Sequence, residues 1–126
     1  MQIQYVATDD APKAIGPYSQ GVKAHGFVYT SGQIALDPAT GNLVDGPFDE
    51  QVHRVFKNLK AILEAAGSDF SRVLKATVYV TDLGNFQTLN TIYASYFGDH
   101  KPARTTVEVP ALPKGAAVEI DLIALT

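Results

Sequence analysis

In the stretch Pro102-Ala103-Arg104-Thr105-Thr106-Val107-Glu108-Val109, a proline-led loop delivers an arginine to the start of a short alternating segment. A guanidinium is a planar fork of donors that matches a carboxylate bidentately, so Arg104 suits a small carboxylic acid. A surface or subunit salt bridge is its plainer use. Glu119 stands between Val118 and Ile120 in a second alternating segment, where a charge is awkward unless paired or functional. It can hold or activate a water, or form an ion pair with Arg104 or a lysine. Alternation puts Arg104, Thr106 and Glu108 on one face of the first segment, and Glu119, Asp121 and Ile123 on one face of the second. The intervening turn, residues 110–115, predicts a hairpin. With Glu108 opposite Glu119, arginine and glutamate would line one cavity.

Other residues offer weaker chemistry. In Ile15-Gly16-Pro17-Tyr18-Ser19-Gln20 two backbone-restricted residues can aim Tyr18 into a pocket, the alternative being a packed tyrosine. Ser31-Gly32-Gln33 follows a strand and can present a hydroxyl and exposed amides, but it lacks the flanking glycines of a nucleophile elbow, so no covalent serine is expected. Asn90 lies mid-helix, where asparagine is more often solvated than liganding. Gly16 and Gly21 have the gap of a phosphate loop, but Val22 stands where its lysine belongs. His25, His53 and His100 are far apart, in no metal-ligand pair, and are expected to be non-catalytic. No dinucleotide-binding glycine fingerprint follows a strand. What remains is cofactor-free chemistry on a small acid.

The elements that must position these groups follow from periodicity. Residues 8–20 are rich in loop formers, and residues 21–31 read as two strands around a His25-Gly26 turn. Residues 37–42, Asp-Pro-Ala-Thr-Gly-Asn, are a strong turn signal. From 48 to 66 the apolar positions Phe48, Val52, Val55, Phe56, Leu59, Ile62, Leu63 and Ala66 fall at helical spacing, and Gly67 is placed as a left-handed cap. Residues 74–81 are a β-branched strand. Residues 85–97 form a second helix with Phe86, Leu89, Tyr93 and Phe97 on one stripe, ended by Gly98. The order of elements predicts an α+β fold, with 1–126 as one domain. Two helices cover one face of such a sheet, so its apolar open face predicts self-association.

Composition narrows the partners. The chain has 126 residues, 46% hydrophobic and 18% charged, with a formal charge of -3. Its basic residues are scattered, so nucleic acid is not favoured. It has no cysteine, which excludes disulfides and thiolate metal sites. Met1-Gln2-Ile3-Gln4-Tyr5 lacks the basic and long apolar regions of a signal peptide, and no apolar run has a membrane span's length. A cytoplasmic location is expected.

The chain resembles the reactive intermediate deaminases, the RidA or YjgF-like family, over essentially its full length. The matching pieces are Ala14-Ile15-Gly16-Pro17-Tyr18, Thr30-Ser31-Gly32-Gln33-Ile34, Val78-Tyr79-Val80-Thr81-Asp82-Leu83, Asn90-Thr91-Ile92-Tyr93, Pro102-Ala103-Arg104-Thr105, Val107-Glu108-Val109, Leu112-Pro113 and Glu119-Ile120. Together, in this order and spacing, they are specific. The resemblance implies a chorismate-mutase-like mixed β-sheet with two helices on one face, and a homotrimer around a sheet-lined core with sites in the clefts between subunits. It also implies hydrolysis of 2-imino acids to 2-oxo acids and ammonia without metal or organic cofactor. Arg104 would bind the substrate carboxylate and Glu119 would position the water. Tyr18, Ser31, Gly32, Asn90 and Thr106 would line the pocket. A cysteine is common in the family at the position of Thr106, so thiol-dependent roles are excluded here, while a backbone contact would survive. Family branches without the arginine are those whose deaminase activity is doubtful. The alternatives are a small-ligand sensor using the same cleft and an RNA-cleaving translation inhibitor, the latter disfavoured by the acidic balance.

Overall fold

The computed structural model describes residues 2–126; Met1, the first residue of the opening segment and of the single expected domain, lies outside the described residues. The elements are strands β1 (Gln4–Val6), β2 (Gly21–Ala24) and β3 (Phe27–Thr30), helix α1 (Phe48–Ala65), strand β4 (Val73–Val80), helix α2 (Phe86–Phe97), and strands β5 (Ala103–Glu108) and β6 (Val118–Leu125). The observed bounds lie within a residue or so of those expected.

Helix α1 carries Asp49 and Glu50 in its first turn, where the helix dipole favours negative charge, and it buries Val52, Val55, Phe56, Leu59, Ile62 and Leu63. Gly67, at φ 81°, turns the chain out of the helix, and Ser68 N–H donates back to the Leu63 carbonyl at 2.8 Å. The buried side of α1 packs with Leu89, Ile92 and Phe97 of α2 against Val28, Ala76, Val78, Val80, Val118, Ile120, Leu122 and Ala124 of the sheet. The opposite face of the sheet, which carries Tyr29, Thr77, Tyr79, Val107 and Ile123, has no helix over it.

The six strands run in the order β1-β2-β3-β6-β4-β5. The hairpin expected between the last two strands does not form. β5 pairs in parallel with β4, and β6 pairs antiparallel with β4 on one side and β3 on the other. The cause is twofold. The α2 crossover returns the chain parallel to β4 and seats β5 on its free edge. β6, whose Val118, Ile120, Leu122 and Ala124 are all buried, gains more from a central place than from an edge. Residues 110–117, with a single 3-10 turn at Pro113–Gly115 and Lys114 at φ 58°, carry the chain across the end of β4 instead of folding it back.

This topology decides which face each candidate takes. The pairs Ala76↔Arg104, Val78↔Thr106 and Val78↔Ile120 put Arg104 and Thr106 on the helix-covered face. The pairs Tyr79↔Glu119, Thr77↔Asp121 and Tyr79↔Val107 put Glu119 and Asp121 on the open face. Within one chain Arg104 and Glu119 therefore lie on opposite sides of the sheet, and the single cavity expected to hold both is not formed.

Candidate functional site

The candidate residues fall into two groups. The first gathers around Glu119 in a cavity of about 380 Å³ walled by the Tyr18 loop on one side and Ser31 and Gly32 on the other. Gln20 builds the first wall. Its side-chain amide accepts from Thr8 N–H at 2.7 Å and donates to the carbonyls of Thr8, Ala11 and Pro12 at 3.0, 3.3 and 2.8 Å. A buried amide with all these bonds made fixes the run of chain leading to Tyr18. The Tyr18 hydroxyl accepts from Ile15 N–H at 3.2 Å, and Tyr18 N–H donates to the Gly16 carbonyl at 2.9 Å. Tyr18 is 49% exposed, so it forms a wall of the cavity and is not a packed core tyrosine.

The Ser31 hydroxyl donates to the Ser19 carbonyl, and Ser31 N–H donates to the Gln20 carbonyl at 2.9 Å. Its proton is thus committed to tying the two walls together. Gly32 leaves room for Glu119: a Cβ there would lie 2.6 Å from Glu119 Oε2 and 2.8 Å from its carboxyl carbon, so any larger residue must displace that carboxylate. The Glu119 side chain lies flat along this glycine and makes no ion pair among the described residues. Burial, and secondarily the like charge of Asp121, raise its pKa above the usual carboxylate range. Asp121 is itself raised by burial, while a hydrogen bond from Thr77 and the charge of Lys75 pull it back.

The second group lies on the other face, between β5 and α2. The Arg104 guanidinium carbon is 4.8 Å from the ring centre of Tyr93 and 5.5 Å from that of Phe86. Among the described residues Arg104 makes no salt bridge, so the ion pairs considered for it from sequence do not form within the chain. Beside it, Asn90 Oδ1, Tyr93 Oη and Thr106 Oγ1 are buried with no hydrogen-bond partner. Buried polar atoms are satisfied almost everywhere in proteins, so three polar groups without a partner inside the chain set this region apart from the rest of the helix-covered face. Burial raises the Tyr93 pKa, with the Arg104 charge opposing. The tyrosine therefore stays neutral.

The structure thus brings Tyr18, Ser31, Gly32 and Glu119 together, and separately Asn90, Thr106 and Arg104, but does not bring the two sets together within one chain. The histidines are elsewhere: His25 in the β2–β3 turn at φ 54°, His53 with Nδ1 2.8 Å from the Tyr96 hydroxyl, and His100 donating from Nε2 to the Val73 carbonyl at 2.7 Å. Sequence reasoning missed three contributors. Gln20 left no signal, since its partners are backbone atoms of a loop. Phe86 and Tyr93 read as part of the core stripe of their helix, although their seven-residue spacing also suits a pair of rings flanking one side chain. No helix among the described residues is long and apolar enough to cross a membrane.

Comparison with known proteins agrees with this architecture. The family described as Endoribonuclease L-PSP matches residues 8–126. A mouse protein named 2-iminobutanoate/2-iminopropanoate deaminase is 48% identical over 120 residues, covering 95% of this chain and 89% of that protein. The crystal structure of RidA from an Antarctic Psychrobacter superposes with a TM-score of 0.94 at 46% identity, over 98% of this chain and 99% of that one. E. coli TdcF with bound serine superposes with a TM-score of 0.92 at 40% identity, over 98% of each chain.

Proposed function

The chain belongs to the Endoribonuclease L-PSP family, which takes in the RidA proteins it resembles, and from that premise we propose that it hydrolyses reactive 2-imino acids to 2-oxo acids and ammonia. Arg104 binds the substrate carboxylate through paired N–H donors, with Asn90 and Thr106 beside it. Glu119 holds the attacking water, and Tyr18, Ser31 and Gly32 shape the wall around it. Water oxygen bonds to the imine carbon, a water proton passes to nitrogen, and the tetrahedral adduct collapses with loss of ammonia to leave the carbonyl. Such imines hydrolyse unaided, so orientation, one fixed water and proton transfer suffice, and no metal or organic cofactor is needed.

Because Arg104 and Glu119 face opposite sides of the sheet in one chain, the working site we propose lies between copies, one contributing Arg104 and its neighbour Glu119. The assembly is a homotrimer closed through the open sheet face, where Tyr5, Tyr29, Val107 and Leu125 are exposed. Sedimentation at three times the chain mass is expected. A strict monomer overturns the shared site.

The observation that supports this reading most is the Arg104 guanidinium, unpaired and set among the orphaned polar atoms of Asn90 and Thr106. Its test is release of 2-oxo acid and ammonia from 2-iminopropanoate and 2-iminobutanoate made in situ by an amino acid oxidase. Acceleration by the wild-type protein is expected, and none sinks the deaminase assignment. The bound serine in the TdcF structure favours one second reading, a sensor of small amino or oxo acids in the same cleft. Tight binding without turnover would identify it. RNA cleavage, which the family description names, is at odds with a net charge of -3 and scattered cations.

Gly32→Ala provides a local check. The new methyl must push the Glu119 carboxylate away, and displacements of about 1 Å can cost up to about 10²-fold in rate. Loss of kcat with unchanged assembly is the expected result; wild-type kcat would show that the placement of Glu119 is immaterial.

A further inference from the structure

Phe86, Asn90 and Tyr93 lie at i, i+4 and i+7 of α2, so all three face the same way, toward Arg104 and Thr106 of β5. Tyr93 packs edge-on to Phe56 at 5.9 Å and lies 4.5 Å from Phe97, so its ring is anchored in the core. Phe86 is different. Within one chain it is 39% exposed, so the chain's own core gives little reason for a phenylalanine there. What it does touch is the guanidinium, 5.5 Å from its ring centre, with Tyr93 at 4.8 Å.

Resting on the deaminase reading for its substrate, we infer that Phe86 and Tyr93 are positioning residues, a two-ring cradle that holds the Arg104 guanidinium ready for the substrate carboxylate. A carboxylate partner within the chain would fix the arginine but occupy the donors that substrate needs. Ring faces attract the cation through their quadrupole and leave its in-plane N–H groups free. They also restrict a side chain with many rotamers before ligand arrives, so less ordering is left for binding. Tyr93 acts through its ring as a neutral phenol, since burial disfavours the phenolate that would form an ion pair with the arginine. The device is specific to a planar cation: a lysine at 104 would neither stack on two rings nor offer the fork.

The test uses Phe86, whose exposure lets it change without emptying the core. Phe86→Leu keeps an apolar side chain but removes the ring, and Phe86→Trp restores an aromatic face. For each, hydrolysis of 2-iminobutanoate gives KM and kcat, and calorimetric titration with 2-oxobutanoate gives affinity. The expected result is a KM and a dissociation constant raised about 3- to 10-fold in Phe86→Leu with kcat within about twofold, and a return toward wild type in Phe86→Trp. An unchanged KM and affinity in a folded, assembled Phe86→Leu protein overturns the cradle, as does equal weakening in the leucine and tryptophan variants. A wild type that binds 2-oxobutanoate without turnover overturns the deaminase reading alone, and the cradle is then judged by the affinity ratio of the two variants. Failure to bind as well as to hydrolyse overturns both.

Discussion

Arg104→Ala is expected to lower kcat/KM for 2-iminobutanoate by about 10²- to 10³-fold, most of it in KM, because two charge-assisted hydrogen bonds and the orientation they impose are lost together. The variant should fold and assemble normally. No described residue forms an ion pair with Arg104, so its removal strands no buried charge. Arg104→Lys should recover only a small part, since an ammonium restores the charge but not the fork. The opposite-face placement of Arg104 and Glu119 adds a sharper result. When Arg104→Ala and Glu119→Gln chains, each nearly inactive, are mixed, unfolded and refolded together, hybrid assemblies contain clefts with an intact Arg104 from one chain and an intact Glu119 from the other. Activity should reappear in the mixture and not in either variant refolded alone. A mixture as inactive as its parents, with hybrids demonstrated by mass, would mean that both residues act from the same chain.

Much of this architecture is legible in the sequence, and the failures have definite physical causes. The period of 3.6 in α1 and the left-handed Gly67 behind it set that helix almost to the residue. Alternation correctly assigned Arg104 with Thr106, and Glu119 with Asp121, to common faces within their own strands. It carries no information about which strand lies alongside. The short turn between β5 and β6 suggested direct pairing, but the burial of every second residue of β6 draws it to the centre of the sheet, and β4 intervenes. That one change of neighbour moved Arg104 and Glu119 to opposite faces. The candidate residues were nameable from type and motif, and their separation onto opposite faces of one chain was not. Phe86 escaped notice for a related reason: an apolar residue in an amphipathic helix matches the core pattern whether it faces the core or a guanidinium. Gln20 was hidden because a side chain clamping loop backbone follows no period at all.

Glu119→Gln is expected to reduce kcat by about 10²- to 10⁴-fold, the range of general base catalysis, while preserving shape and one hydrogen-bonding oxygen. The amide can still hold a water but cannot take its proton, so the size of the loss separates the two roles. Retention of most of kcat would reduce Glu119 to a water holder. The pH dependence gives independent evidence. Burial first, and Asp121 second, raise the Glu119 pKa, so wild-type kcat/KM, corrected for the uncatalysed reaction, should fall as pH drops through that raised value. The limb should vanish in Glu119→Gln and move to lower pH in Asp121→Asn, where the like charge is gone. Stability should run the other way. A carboxyl group whose folded pKa is raised contributes stability that is full below its ordinary pKa and lost as pH rises through the folded value. Above its raised pKa Glu119 therefore destabilises the chain, and Glu119→Gln should melt higher than wild type at pH 7.5, with the gain shrinking toward pH 4. That pattern would favour a chemical role for Glu119 over a structural one, since a residue kept for stability would not lower it. Equal melting temperatures at both pH values would remove that argument, and an unshifted acid limb in the glutamine variant would assign the proton transfer to another group.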